Sequence, residues 1–177
     1  MAAFDFESLI VDIPNYPEPG VVFKDITPLL KDPDGFAAVV DALADHFAGR
    51  GVTKVVGAEA RGFMIGAPVA YRLHAGFVPA RKPGKLPRET FAQAYDLEYG
   101  SDALEIHADA LGPGDTVLMI DDLAATGGTA AATARLIERS GAKIVGFGFL
   151  LELGFLNPRD VLAKACGAEV FSLVRVD

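Results

Sequence analysis

The run from Val117 to Thr129 constrains the fold more than any other part of the chain. It starts with apolar residues, continues with the adjacent acids Asp121 and Asp122, and ends in a short loop rich in glycine and threonine. An apolar run without polar alternation is typical of a strand covered on both faces of a parallel sheet. Ala130 to Ser140 is rich in helix formers and precedes Gly141, so the run predicts a strand, a turn and a helix.

This turn has the chemistry of a site for a phosphorylated sugar. Ligands of open α/β sheets bind at the carboxyl ends of the strands. The first N–H groups of a helix have no intrahelical partner and carry a partial positive charge, which favours a phosphate there. Asp121 and Asp122 repel each other, but they become favourable where they accept hydrogen bonds from a diol or hold a cation. An N-capping acid in a solvated turn is the alternative for either residue alone.

The run resembles the signature of the type I phosphoribosyltransferases, which use 5-phosphoribosyl-1-pyrophosphate (PRPP). The resemblance implies that Asp121 and Asp122 bind the ribose hydroxyls and take part in catalysis. It assigns the 5′-phosphate to the loop residues Ala125, Thr126, Gly127, Gly128 and Thr129. It also implies an α/β fold with a mainly parallel sheet and helices on both faces. The expected organisation is a single domain over residues 1–177, with a small hood at 1–30 and a flexible lid loop at 83–101.

A second strand-to-helix turn follows Lys54 to Gly57 and contains Glu59, Ala60 and Arg61. The guanidinium of Arg61 is planar, always charged and suited to bidentate phosphate contact. A surface salt bridge with Glu59 is the alternative for Arg61 alone. The resemblance identifies this turn as the pyrophosphate loop, with Glu59, Ala60 and Arg61 at the ligand, and it implies a cis peptide bond between Glu59 and Ala60.

A basic run follows the next predicted strand. Arg81, Lys82, Lys85 and Arg88 lie close together in a chain whose net charge is −8. An acidic protein that binds a polyanion must concentrate positive charge locally, and this run meets that requirement. A solvated basic loop is the alternative. The resemblance assigns Arg81, Lys82 and Lys85 to pyrophosphate and leaves Arg88 open.

Further stretches, at 19–25, 81–87 and 94–100, resemble the members of this family that act on adenine. This narrower resemblance implies the reaction adenine + PRPP → AMP + pyrophosphate. It implies that the base is read mostly by main-chain groups at Val22, Phe23 and Lys24, inside an apolar sandwich of Phe23 and Leu153. Without the resemblance, an ordinary buried strand is the better interpretation of the segment around Phe23.

Residues 83–101 are long for a connection in a compact domain, which indicates a functional lid with an edge strand near Tyr95 to Tyr99. The resemblance implies that Glu98 donates a hydrogen bond or a proton to adenine N7, and that Tyr99 packs against the closed site. A solvated loop acid is the alternative for Glu98.

Composition limits the remaining possibilities. The apolar stretches are too short to span a bilayer, the N-terminus does not resemble a signal peptide, and Cys166 is the single cysteine, so we expect a cytoplasmic protein that does not bind membranes. The negative net charge disfavours nucleic acid as a partner. The resemblance further implies a homodimer and Mg²⁺ that is held mainly by oxygens of PRPP or pyrophosphate, with no metal bound directly by side chains.

Three competing functions can be weighed from the residues. A non-catalytic PRPP-sensing regulator would share the phosphate and ribose site, but Glu98 and the segment Val22–Lys24 argue against it. A signalling receiver domain needs a phospho-acceptor aspartate on a later strand, and the predicted strand Lys143–Leu153 has none. A nicotinamide-dependent enzyme is disfavoured because no Gly-x-Gly-x-x-Gly follows a strand.

For the hood, residues 2–12 predict a short amphipathic helix, followed by an irregular connection from Ile13 to Gly20.

Overall fold

Strands and helices alternate along most of the chain, of which the computed structural model describes residues 4–96 and 101–177. The strands are β1 (Val11–Pro14), β2 (Val22–Asp25), β3 (Lys54–Ala58), β4 (Gly76–Ala80), β5 (Thr90–Asp96), β6 (Ser101–His107), β7 (Thr116–Ala124), β8 (Lys143–Leu153) and β9 (Glu169–Val176). The helices are α1 (Thr27–Lys31), α2 (Pro33–Phe47), α3 (Arg61–Arg72), α4 (Gly128–Arg139) and α5 (Pro158–Ala165). Short 3₁₀ helices lie at Glu7–Leu9 and Gly154–Leu156.

The central sheet has the strand order β4-β3-β7-β8-β9, and all its neighbouring strands pair in parallel. The strand β7 lies in the middle, and its residues from Val117 to Ile120 are fully buried. Strands of a parallel sheet all point their carboxyl ends to one edge, so the turns after β3 and β7 lie side by side. The prediction of a mainly parallel α/β sheet is confirmed.

Apolar side chains cover both faces of this sheet. Along β7, Leu118 and Ile120 point to the face that packs against α2 and α3, and Val117 and Met119 point to the face that packs against α4. This division follows from the alternation of side chains along a strand. In the part of the chain that the structure describes, no helix is long and apolar enough to cross a bilayer.

The sequence pair Asp32-Pro33 is typical of a helix start, and α2 begins there. The Asp32 side chain accepts a hydrogen bond of 2.7 Å from the Gly35 N–H, and Pro33 occupies the first helical position. A proline there loses no intrahelical hydrogen bond, because the first N–H groups of a helix have no partner within it.

The predicted helix over residues 2–12 is wrong for the part described. Residues 7–9 form a 3₁₀ turn, and β1 then pairs antiparallel with β2, with Val11 opposite Asp25. The apolar residues Phe4, Phe6, Leu9 and Ile10 pack against the core without forming a continuous helix, and the residues of β1 are exposed. Pairing with β2 satisfies the backbone N–H and C=O groups of β1. Ile13 and Pro14 are therefore strand residues, where the sequence had predicted the start of an irregular connection.

The segment 83–101 contains more regular structure than a loop. Thr90–Asp96 pairs antiparallel with Ser101–His107, so β5 and β6 form a hairpin, and the edge strand predicted near Tyr95 starts five residues earlier. Contacts of Phe91 explain the longer strand. Its side chain packs against the core, and the Arg139 guanidinium lies 4.6 Å from the centre of its ring. The action of this segment as a lid stays a prediction.

Candidate active site

The sequence predicted that the strand ends where the two adjacent acids begin, but in the structure both acids lie within strand β7. The strand continues to Ala124, and Asp121 pairs with Phe149 of β8. Both side chains are buried, with 9% of Asp121 and 5% of Asp122 exposed. Because both acids are part of the strand, the pleat of the sheet fixes the directions in which their carboxylates point.

Burial and mutual repulsion set the protonation of the acids. The Asp121 carboxylate accepts a hydrogen bond of 2.9 Å from the Asp122 N–H. Burial raises the pKa of Asp121 well above its ordinary value, and the neighbouring charge of Asp122 raises it further. Asp122 has a cation partner, because the Nε of Arg61 lies 2.9 Å from its Oδ2. The site thus holds one acid that resists ionisation beside one that is paired.

The loop after β7 presents a helix N-terminus to the same place. Gly127 has φ +84°, a conformation that favours glycine, and α4 begins at Gly128. Among the described residues, no side chain caps this N-terminus. A Cβ on Gly127 would lie 3.0 Å from the carbonyl oxygen of Pro158, so α5 packs directly behind the loop. The free N–H groups and the helix dipole make this turn suitable for a phosphate.

The turn after β3 contains the cis peptide bond predicted between Glu59 and Ala60. The Glu59 carboxylate does not pair with Arg61, which was the alternative for that arginine. The Glu59 carboxylate accepts a hydrogen bond of 2.9 Å from the Lys82 N–H and one of 3.2 Å from the Nε of Arg81. The Lys82 N–H lowers the pKa of Glu59. Glu59 therefore anchors the start of the basic run beside the turn that carries Arg61.

These turns enclose a cavity of about 290 Å³. It contains most of the residues that the sequence assigned to PRPP, together with others. Its lining comprises Glu59, Ala60, Arg61, Lys82, Tyr95, Asp102, Asp121, Asp122, Leu123, Ala124, Ala125, Thr126, Gly127, Gly128, Thr129 and Ala130. The two acids, the phosphate-type turn and the cations Arg61 and Lys82 all contribute to this lining.

A smaller and more apolar cavity of about 110 Å³ adjoins the first one. The four residues that the resemblance assigned to the base all line it: Val22, Phe23, Lys24 and Leu153. Arg61, Asp122 and Leu123 line both cavities. A flat base in the smaller cavity would therefore lie next to a sugar held over the acids.

Some predicted residues lie elsewhere. Arg81 and Lys85 stand beside the larger cavity and are not part of its lining, and Arg88 pairs with Asp109 on the surface. Glu98 and Tyr99 fall outside the described residues.

Sequence reasoning missed Tyr95 and Asp102, which line the larger cavity from the β5–β6 hairpin. They are directly opposite each other across the two strands. The alternation of side chains in a hairpin was the available signal, and the small residues Ala92, Ala94 and Ala103 made it weak.

The chemistry of the donor set bears on Mg²⁺. Within residues 4–96 and 101–177, no three His, Cys, Asp or Glu side chains come together as a metal site. Mg²⁺ prefers oxygen ligands and is usually bound by one or two carboxylates together with substrate phosphates. Asp121 and Asp122 line the cavity, but Asp121 resists ionisation and Asp122 is paired with Arg61, so oxygens of the substrate would hold most of the ion.

Comparison with known proteins agrees with this geometry. The model of the family described as "Phosphoribosyl transferase domain" matches residues 26–165. The adenine phosphoribosyltransferase of Desulfitobacterium hafniense is 55% identical over 175 residues, which cover 99% of both chains.

Solved structures show the same similarity. The adenine phosphoribosyltransferase of Thermoanaerobacter pseudethanolicus has a TM-score of 0.91 at 48% identity, over 97% of this chain and 98% of that one. That of Saccharomyces cerevisiae has a TM-score of 0.87 at 38% identity, over 95% of this chain and 96% of that one. The chain therefore belongs to the phosphoribosyl transferase family and, within it, to the adenine phosphoribosyltransferases.

Proposed function

We propose that the larger cavity holds PRPP and the smaller one adenine during the reaction that defines this family. In that reaction the 5-phosphoribosyl group passes from PRPP to adenine and gives AMP and pyrophosphate. The observation that carries the assignment is the shared lining of the two cavities by Arg61 and Asp122. This shared lining supports an arrangement in which the base lies next to C1 of a ribose held by the acids.

Each end of PRPP has suitable partners in this arrangement. The ribose hydroxyls donate hydrogen bonds to the carboxylates of Asp121 and Asp122. The 5′-phosphate accepts hydrogen bonds from the N–H groups of the turn 125–129 and from the hydroxyls of Thr126 and Thr129. The yeast relative was crystallised with an imino-altritol 1,6-bisphosphate and adenine, which supports paired sites for a phosphorylated sugar-like molecule and a base.

The pyrophosphate is proposed to leave toward the cations of the site. Arg61 and Lys82 line the cavity, and Arg81, next to Lys82 in the chain, donates a hydrogen bond to the carbonyl oxygen of Lys85. Preorganised cations stabilise charge as it grows on a leaving group. Mg²⁺, which enters with PRPP in this proposal and would be held mainly by oxygens of PRPP or pyrophosphate, would neutralise pyrophosphate charge.

Adenine is held by main-chain groups at Val22, Phe23 and Lys24 and by the side chains of Phe23 and Leu153. Its N9 attacks ribose C1, the bond from C1 to pyrophosphate breaks with its electrons going to the pyrophosphate oxygen, and the base gives up one proton to solvent. Glu98 is the proposed partner of adenine N7, and Tyr99 is proposed to pack over the site. Glu98→Gln is expected to lower kcat more than it weakens PRPP binding, and an unchanged kcat would exclude the acid role.

Three further expectations stay proposals. We expect a homodimer, a cytoplasmic location and no role for nucleic acid or membranes as partners. The lid role of the segment 83–101 belongs with them. The regulatory alternative loses its basis, because the similarity to named enzymes extends over almost the whole chain.

The experiment that tests this function measures AMP formation from adenine and PRPP with a panel of purine bases as competitors. The double variant Asp121→Asn with Asp122→Asn is expected to raise the PRPP KM and to lower kcat at least tenfold. Asp41→Asn, which removes a surface partner of Arg72, serves as the control. Unchanged kinetics in the double variant would remove the ribose assignment.

A further inference from the structure

Asp102 adds a fourth carboxylate, after Glu59, Asp121 and Asp122, to the lining of a cavity that is proposed to hold a polyanion. It lies on β6 opposite Tyr95, and both side chains line the larger cavity. The Asp102 side chain is 23% exposed. A negative charge here repels a pyrophosphate group, so its presence calls for a specific partner.

That partner is the ammonium of Lys82. The Nζ of Lys82 lies 3.0 Å from Oδ2 of Asp102, and the Tyr95 hydroxyl lies 3.4 Å from the same oxygen. The other carboxylate oxygen accepts a hydrogen bond of 2.8 Å from the Ala103 N–H. Asp102 is thereby fixed to its own hairpin, and Lys82 is the member of the pair that can move.

The ion pair of Lys82 with Asp102 differs from that of Arg81 with Glu59. The Arg81 side chain and the Lys82 main chain are both bound by Glu59, which therefore fixes the backbone of the basic run. The Lys82 side chain is 56% exposed and sits on a long stem, so its ammonium can change partners. Exposed ion pairs are weak, so a phosphate with more charge can displace this carboxylate.

We propose that Asp102 is a displaceable counter-ion, which holds Lys82 at the cavity and yields it to the pyrophosphate group of the ligand. This inference rests on the proposed role of Lys82 in pyrophosphate binding. Once Lys82 has moved, the Asp102 carboxylate stands uncompensated near the bound group. Asp102 thus lowers the affinity for PRPP and for pyrophosphate and assists release of the product.

Asp102→Asn separates charge from shape. The amide oxygen can still accept the Ala103 N–H bond, while the competing negative charge is gone. We expect PRPP and pyrophosphate each to bind about three- to tenfold more tightly, the range for loss of a partly screened charge at a binding site. The gain should shrink at high salt because partly exposed charges are screened.

The test uses isothermal titration calorimetry of the full chain with PRPP and Mg²⁺, without adenine so that no turnover occurs. The inhibition constant of inorganic pyrophosphate in the AMP-forming assay gives a second readout. The variants are Asp102→Asn, Asp102→Ala, Lys82→Ala and the double variant Asp102→Asn with Lys82→Ala. Asp109→Asn is the matched control, because Asp109 pairs with Arg88 of the same basic run outside the cavity.

The expected result is tighter binding in both Asp102 variants, unchanged binding in Asp109→Asn, and weaker binding in Lys82→Ala. The double variant should bind more weakly than Asp102→Asn, since it lacks the Lys82 cation, and no more weakly than Lys82→Ala, since it also lacks the Asp102 charge that repels the ligand. Unchanged or weaker binding in both Asp102 variants, with Lys82→Ala still weakened, would overturn the counter-ion role alone. Full affinity in Lys82→Ala would instead overturn the proposed role of Lys82 in pyrophosphate binding and this inference with it.

Discussion

The Nε of Arg61 lies 2.9 Å from Oδ2 of Asp122, so one ion pair joins the first residue of helix α3 to strand β7. The Asp122 side chain is buried, and Arg61 remains partly exposed toward the cavity. Both residues also line the smaller cavity. The pair therefore stands where ribose, pyrophosphate and base are proposed to meet.

Arg61→Ala should lower kcat/KM for PRPP by about 10²-fold, because the change removes a cation from the leaving group and leaves Asp122 buried without its partner. Steady-state kinetics with varied PRPP provide the measurement. Arg72→Ala is the control, since Arg72 lies at the other end of the same helix and pairs with Asp41 and Asp45 on the surface. A kcat/KM within twofold of the wild type in Arg61→Ala would contradict the assignment.

Asp121→Asn should stabilise the fold at neutral pH while it lowers activity. The raised pKa of Asp121 means that the folded protein keeps a proton that the unfolded chain has lost, so its contribution favours folding only at low pH and is lost as pH rises. The amide of the variant does not ionise, and its oxygen can still accept the Asp122 N–H bond.

The difference in Tm between Asp121→Asn and the wild type should accordingly be small near pH 4 and grow toward about pH 7. Differential scanning calorimetry across this pH range measures it. A difference that stays constant, or that shrinks with rising pH, would show that Asp121 ionises as readily in the fold as in the unfolded chain.

Gly62→Ala should impair PRPP binding without removing any ligand contact. A Cβ at Gly62 would lie 2.8 Å from Oδ1 of Asp121 and 3.1 Å from the carbonyl oxygen of Ile120, so the carboxylate must shift. A misplacement of about 1 Å in an active site costs about 10²-fold in rate, so kcat/KM for PRPP should fall by a factor of that order. Gly112→Ala is the control, because a Cβ there would meet no atom within 4 Å. Equal PRPP affinity in the two variants would refute the proposed close packing.

Leu153→Ala should raise the adenine KM several-fold and leave the PRPP KM nearly unchanged. The change enlarges the smaller cavity and removes apolar contact with the base, a loss of about 1–3 kcal/mol for a truncated apolar side chain at a ligand. Leu156→Ala is matched in size, and Leu156 does not line that cavity. If the two variants show the same adenine KM, the base lies elsewhere.

The sequence was sufficient to predict the elements that depend on local signals. Asp32 with Pro33 marked the start of α2, and the unbroken apolar run from Val117 marked the central strand. The paired acids and the glycine-threonine turn indicated where a ligand cavity would lie, because parallel strands bring their carboxyl ends to one edge, and both line the larger cavity.

Elements that depend on distant partners could not be predicted in the same way. The strand β1 is exposed and is held by β2, and the hairpin partners Tyr95 and Asp102 meet only through strand pairing. The Glu152 carboxylate is buried because Arg159 and Ser172 contact it from other elements, at 2.8 Å and 2.7 Å. No local pattern encodes such contacts.

The most direct measurement is a crystal structure of the protein in complex with AMP. The account predicts the phosphate within hydrogen-bond distance of the N–H groups of the turn 125–129, the ribose hydroxyls on Asp121 and Asp122, and the base between Phe23 and Leu153. A complex in which that turn is empty and the phosphate is bound at another part of the protein would contradict it.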